Sequence, residues 1–323
     1  MNYRRLGRTG FQVSEIGHGL WGMGNWSGST DEESRKALQQ SAELGCTFYD
    51  TAWAYGQGKS DGLLGELLRN NRSKRLYAAS KVPPKNMKWP ASADDALEDT
   101  FPEDYVLQST EEIRKKVGVE SIDLLQFHVW DDTWTPNESW MKTVRRLKEE
   151  GLIRAFGLSL NRWEPWNGIR AVETGCVDVV QVIYNIFDQA PEDALFPLCA
   201  KLDVGIIARV PLDEGSLAGT LTQESKFPEG DWRARYFSAE NLASTLERVE
   251  ALKAITPPAM TLPEMAFRFI LSNPQVSTTI VGMRKAQHVR ENVRVSDGRV
   301  LDAALVAELR RHRWDRKGAP WSS

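Results

Sequence analysis

The 323-residue chain is 41% hydrophobic and 26% charged, and its 41 Lys plus Arg against 44 Asp plus Glu give a formal net charge of -3. That balance offers no basic surface for nucleic acid, and no stretch approaches the ~20 apolar residues needed to cross a bilayer. Cys46, Cys176 and Cys199 have neither C-x-x-C nor metal-ligand spacing, so they read as reduced core residues and no metal is expected. The arginines of the N-terminus precede no apolar run, and the expected location is the cytoplasm.

In chain order, Gly7 and Gly10 bracket a polar turn in RLGRTGFQV, the pattern of a β-hairpin. Eight short apolar runs follow, at 14–20, 47–50, 76–82, 122–128, 153–158, 179–184, 204–210 and 278–281. Between them lie amphipathic segments. In the first, TDEESRKALQQSAELG, Thr30 caps, Glu33 stands three residues on and Gly45 ends the helix. The others are STEEIRKKVG, SWMKTVRRLKEEG, GIRAVETG, PEDALFPLCAKLD, NLASTLERVEALKAI and KAQHVRENV. Eight strands each followed by a helix predict an α/β fold closed as a (β/α)8 TIM barrel, with an N-terminal β-hairpin and an extra C-terminal helix. No Gly/Ser or Pro linker divides the chain, so residues 1–323 are expected to form a single domain. Two long loops, 83–104 and 211–239, follow the third and seventh strands, at the end of such a barrel where chemistry is found.

On this placement the C-terminal strand ends carry Asp50, Lys81 and His128, with Tyr55 just beyond Asp50. A phenol near its reference pKa of about 10 gives up its proton poorly at neutral pH, and an adjacent ammonium favours the phenolate and lowers that value. Lys81 is expected to act on Tyr55 in this way, Asp50 to supply its counter-charge, and His128 to orient a substrate oxygen.

The segments FYDTAWAYG, ASKV and LLQFH resemble those of the aldo-keto reductase superfamily, in its bacterial type related to channel β-subunit-like reductases. The likeness continues through RRLGRTGFQVSEIG, IRAFGLSLNRW, VVQVIYNIFD, IIARVPLDEGSLAG and IVGMRKAQHVREN. It implies interconversion of a carbonyl and an alcohol by direct hydride transfer with NAD(P)H, with Tyr55 as general acid or base, Lys81 and Asp50 tuning it and His128 positioning the carbonyl. It further implies that Ser159, Gln181 and Asp50 meet the nicotinamide carboxamide, with Tyr184 as a weaker ring contact. Leu160 follows Ser159 where relatives often have Asn, and Asn161 comes one later. Arg209 stands where relatives often stack an aromatic ring on the nicotinamide, and a guanidinium plane can also stack. Pro211, Leu212, Gly215 and Leu217 would shape the pyrophosphate loop, and Gly282, Arg284, His288, Glu291 and Asn292 the adenosine end. The fork of Arg284 suits a 2'-phosphate, which favours NADP(H) while leaving NAD(H) possible.

Of twelve tryptophans, Trp21, Trp26, Trp53, Trp89, Trp130, Trp134 and Trp232 fall in loops expected at the same rim. Trp21, Trp53 and Trp130, together with Tyr55 and His128, are the candidate substrate contacts, and Trp21 also a cofactor contact. Broad indole faces favour a bulky cyclic or sugar-like carbonyl or alcohol as the small-molecule partner. Two other readings stay open. Lys81 on a barrel strand is placed as a Schiff-base aldolase requires, and a nucleotide-sensing regulatory module would bind the cofactor with little turnover. Oligomeric state is not legible.

Overall fold

The computed structural model describes residues 1–24, 30–228 and 231–316. Strands β1 (Tyr3–Arg5) and β2 (Gln12–Ser14) pair antiparallel, with Tyr3 opposite Ser14. Eight further strands then run in parallel: β3 (Ile16–Gly19), β4 (Phe48–Asp50), β5 (Tyr77–Val82), β6 (Ile122–Phe127), β7 (Ile153–Ser159), β8 (Val179–Ile183), β9 (Gly205–Arg209) and β10 (Thr278–Gly282). They close into a barrel in sequence order, β10 pairing with β3. All eight expected strands and the hairpin are present. The helix Ala303–Arg310 follows the last barrel helix, Ala286–Val293, as the expected C-terminal addition.

The helix Asp31–Glu43 opens with the reciprocal cap read from its sequence: Glu33 N donates to Thr30 Oγ1 at 3.2 Å and Thr30 N donates to Glu33 Oε2 at 3.0 Å. Four helices were missed from sequence: the short Leu97–Thr100 and Trp232–Tyr236 within the two expected loops, and two longer ones. Lys59–Asn70 contains Gly62 and Gly65, which weaken helix propensity by about 1 kcal/mol each. Gly65 is there for contact, because a Cβ on it would lie 2.4 Å from the carbonyl oxygen of Val117 on the neighbouring helix Glu103–Val117. Leu262–Leu271 was hidden behind Pro257 and Pro258; Thr261 Oγ1 caps it by accepting from Glu264 N at 3.3 Å, and Pro263 sits in its first turn, where no backbone N–H is needed.

Alternate residues of each barrel strand face inward. Phe48, Tyr77, Ala79, Leu124, Ala155, Val179, Ile207 and Ile280 fill the lower interior. Leu6, Phe11 and Val13 of the hairpin region join this cluster and close the N-terminal end. The approach is tight: a Cβ on Gly7 would lie 2.2 Å from the amide nitrogen of Gly205 at the start of β9. The same inward parity, carried to the C-terminal strand ends, places Gly19, Asp50, Lys81, Gln126, Ser159, Gln181, Arg209 and Gly282 in the opposite mouth.

Candidate active site

Lys81 is wholly buried on β5 and Asp50 nearly so on β4. Lys81 Nζ donates to Asp50 Oδ1 at 2.5 Å and to the Thr51 carbonyl at 2.8 Å. Burial works against charge on Lys81, but Asp50 and then Tyr55 more than offset it, and its pKa is raised. The other carboxylate oxygen, Asp50 Oδ2, accepts from Gln181 Nε2 at 2.8 Å and from Gln126 Nε2 at 3.3 Å. Gln126 was passed over in the sequence, although its signal was present: an amide at an inward position within the apolar run LLQF.

The segment after β4 turns tightly so that Tyr55 faces back over the mouth. Trp53 N donates to the Lys81 carbonyl at 3.4 Å, Tyr55 N to Ala52 O at 2.9 Å, and Gly58 N to Trp53 O at 2.7 Å. The turn is therefore fixed to the backbone of the residue that its tyrosine must meet. Lys81 Nζ lies 5.3 Å from the Tyr55 ring centroid, and a side-chain hydrogen bond joins the two residues. The Tyr55 ring meets His128 edge-on at 5.7 Å between centroids, and Trp89 meets the other side of His128 edge-on at 5.9 Å.

Burial raises the Tyr55 phenol above its ordinary value; Lys81 opposes this, Asp50 adds to it, and the net direction is upward. The sequence led to the opposite expectation because it shows the neighbouring ammonium and not the desolvation that outweighs it. His128 is held well below its ordinary value by burial, then by Lys81 and Arg209, so its imidazole is neutral. Its Nδ1 is buried and has no hydrogen-bond partner. The arrangement is a protonated phenol, a charged lysine paired to a carboxylate, and a neutral imidazole around one space.

The remaining expected residues divide. Ser159 is buried at the end of β7, beside Gln181 in the ladder. Arg209 reaches from β9 to donate from Nη2 to the Leu160 carbonyl at 2.8 Å. Pro211 and Leu217 are buried, so they contribute backbone rather than side chain, in a segment where Val210, Asp213, Glu214 and Gly215 all have positive φ, from 45° to 105°. Gly282 is exposed, and an added Cβ there would meet nothing within 4 Å. Arg284 is half-buried across the turn Trp21–Met23: a Cβ on Gly22 would lie 2.7 Å from its Cδ. His288 and Glu291 are exposed on the following helix, with Asn292 between surface and core.

Two expectations are corrected. Tyr184 is outward, packed on Phe196 and Phe269 with its hydroxyl donating to Glu192, because its parity on β8 is opposite to that of Gln181. Trp130 is wholly buried, edge-on against Trp134 and Trp140 behind the strands, and is withdrawn as a substrate contact. Asn161, one residue past the place where relatives often have Asn, clasps Ala91: its Oδ1 accepts from Ala91 N and its Nδ2 donates to Ala91 O, each at 3.1 Å. That clasp, with Trp134 Nε1 donating to Asp95 O at 2.7 Å, fixes the 83–104 loop that carries Trp89. Among the described tryptophans, Trp89 is the one that meets His128, while Trp21 is 43% exposed at the rim and Trp53 leans on the core. Trp26 lies outside the described residues. A cavity of about 310 Å³ lined by Trp163, Trp166, Pro191, Arg313 and Arg316 lies beside this rim and includes none of Asp50, Tyr55, Lys81 or His128.

Comparison with known proteins decides the family: the profile described as the aldo/keto reductase family matches residues 15–313. The chain belongs to the aldo/keto reductase family. Its relatives include the aldo-keto reductase yakc [NADP(+)] of Schizosaccharomyces pombe, 29% identical over 95% of this chain and 90% of that one. Another is the NADH-specific methylglyoxal reductase of Escherichia coli, 26% identical over 94% and 97%. The holo form of aldo-keto reductase AKR11C1 from Bacillus halodurans has the same fold as this aldo/keto reductase, with a TM-score of 0.75 at 22% identity over the whole of both chains.

Proposed function

We propose that this aldo/keto reductase interconverts a carbonyl and an alcohol by direct hydride transfer, with NADP(H) as the favoured nucleotide and NAD(H) an admissible one. The observation that carries the reading is the convergence of Tyr55, Lys81, Asp50 and His128 on one space at the barrel mouth. The residues present suit a nicotinamide nucleotide. Buried polar atoms without partners, His128 Nδ1 and Arg209 Nε, sit near the tyrosine, and the open backbone at Gly282 leads to Arg284. When bound, the nucleotide supplies or accepts the hydride.

The protein's own residues do the rest. A carbonyl oxygen is held between the Tyr55 hydroxyl and the His128 imidazole, whose neutral state lets it donate a hydrogen bond without competing for the proton. Tyr55, kept protonated by burial, gives its proton to that oxygen as negative charge builds there, and Lys81 stabilises the phenolate left behind. Asp50, fixed by Gln126 and Gln181, keeps the ammonium in place. In the alcohol-oxidising direction the phenolate takes the proton back. Trp89, Trp53 and Trp21 line the approach and favour a bulky cyclic or sugar-like substrate. The three cysteines are free, in keeping with a reducing cytoplasm.

Arg284 supports preference for a 2'-phosphate, and the names of the relatives in Schizosaccharomyces pombe and Escherichia coli show both nucleotide choices within the family. The Schiff-base alternative requires a neutral Lys81 amine. Its pairing with Asp50 and raised pKa favour the opposite state. A screen of aldehydes, cyclic ketones and sugars with each nucleotide tests the proposal. Nucleotide binding with no carbonyl-dependent oxidation across the screen would replace it with the sensing role.

A further inference from the structure

Among the described residues, Arg209 is a buried cation of the mouth that no carboxylate touches, although Glu214 and Asp50 act on it from a distance. Its Nη2 is tied to the Leu160 carbonyl, its Nε has no hydrogen bond, and no carboxylate pairs with it among the described residues. Arg162, the neighbouring cation, is satisfied by contrast: it pairs with Glu214 at 3.0 Å and lies over the Trp232 ring at 3.9 Å. Burial, then repulsion from Arg162, lowers the Arg209 pKa to about 10, which still leaves it charged at neutral pH. Its field reaches both Tyr55 and His128.

The tether to Leu160 fixes where that charge lies. It spans from the end of β9 to the residue after Ser159 on β7, across the end of β8, where Gln181 and Ile183 stand. A nicotinamide held by its carboxamide at Ser159 and Gln181 would have the guanidinium as a neighbour. A nicotinamide ring is neutral when reduced and carries one positive charge when oxidised. The rest of the nucleotide is the same in both states. A fixed cation beside the ring acts on that difference alone.

We propose that Arg209 makes the site discriminate between redox states of its nucleotide, holding the reduced form and repelling the oxidised one. This rests on the reading of Ser159 and Gln181 as the nicotinamide end. It goes beyond that reading in assigning to one unpaired side chain the ratio of the two affinities. Arg284, at the other end of the nucleotide, adds equally to both affinities and leaves the ratio untouched.

The test is direct binding of NADPH and of NADP+ to the whole protein, followed by quenching of its tryptophan fluorescence, for wild type, Arg209→Gln and Arg209→Lys. Wild type is expected to bind NADPH more tightly, Arg209→Gln to shrink the ratio of dissociation constants about tenfold by tightening NADP+, and Arg209→Lys to retain most of it. The same ratio in Arg209→Gln as in wild type overturns the proposal, as does a ratio lost equally in Arg209→Lys, which would show shape rather than charge at work. If wild type binds neither nucleotide, the cofactor reading itself falls and takes this inference with it. Should Arg209→Gln fail to fold, Arg209→Met carries the same comparison.

Discussion

Lys81 Nζ and Asp50 Oδ1 are 2.5 Å apart, on adjacent strands and with both side chains out of the solvent's reach. Each charge is tolerable only because of the other, since an unpaired buried charge retains its desolvation penalty. Asp50→Asn or Lys81→Met alone is expected to destabilise the fold by about 3–5 kcal/mol, and the double variant by less than the sum. Urea unfolding of the three variants checks this; additive losses would mean that the pair is not coupled.

Tyr55→Phe removes the proton donor but leaves the ring and its edge-on contact with His128. Turnover should fall about 10²- to 10⁴-fold while nucleotide affinity stays within a few-fold. Comparable loss of both would refute the acid role.

The directions of the pKa shifts set the pH dependence of carbonyl reduction. In the proposed mechanism, reduction needs a protonated Tyr55, whose pKa is raised above 10, and a neutral His128, whose pKa lies well below 6.5. The rate should therefore be flat across pH 6.5 and fall only on the alkaline side above about 10. A profile of kcat/KM that breaks near 6.5 and is lost in His128→Gln would show the imidazole titrating after all.

Asp61, buried behind β5, accepts from Ser80 Oγ at 2.8 Å, and its other oxygen has no partner. Its pKa is raised to about 6 from an ordinary 3.8, chiefly by burial. Between these values the native state holds a proton that the unfolded chain has lost, so stability declines as pH rises through that window and stays lower above it. Asp61→Asn should thus stabilise the protein by about 2–3 kcal/mol at pH 7.5 relative to its effect at pH 4. A thermal-unfolding gain that does not depend on pH would contradict this.

Asn161→Ala frees the Ala91 backbone, with the loss of two hydrogen bonds of about 1 kcal/mol each. Since that loop presents Trp89 to His128, KM for the carbonyl should rise several-fold with nucleotide affinity unchanged. An effect on the nucleotide alone would put Asn161 in a different role.

Arg284→Ala should raise KM for NADPH about tenfold or more and leave KM for NADH nearly unchanged, the loss expected of a charge-assisted contact to phosphate. An equal effect on both nucleotides would argue against recognition of the 2'-phosphate.

Much of the fold was legible because each strand of a parallel barrel is an apolar run ending where the apolarity ends, and Asp50, Lys81 and Ser159 mark such ends. What escaped notice followed from information that no local pattern carries. Tyr184 and Gln181 share one run, yet three steps of extended chain, the last just past the end of β8, put them on opposite faces, so the tyrosine belongs to the helix-facing layer. Trp130 stands two residues from His128, but β6 has already ended at Phe127 and the chain folds its indole back behind the strand. Gly65 lowers the helix propensity of 59–70, and the reason for it, the carbonyl of Val117, is more than fifty residues away. The net upward shift of Tyr55 could not be read either, since it arises from the burial of the whole mouth rather than from the named neighbours.

The hairpin plug of Leu6, Phe11 and Val13 has a kinetic consequence. With the base covered and the lower interior packed, the mouth at the C-terminal strand ends is the open one, and on the proposed function nucleotide and carbonyl would both have to use it. On the proposed function, whichever of the two seats deeper would have to enter first and leave last. Inhibition by each product then carries the signature of a queue instead of two independent doors.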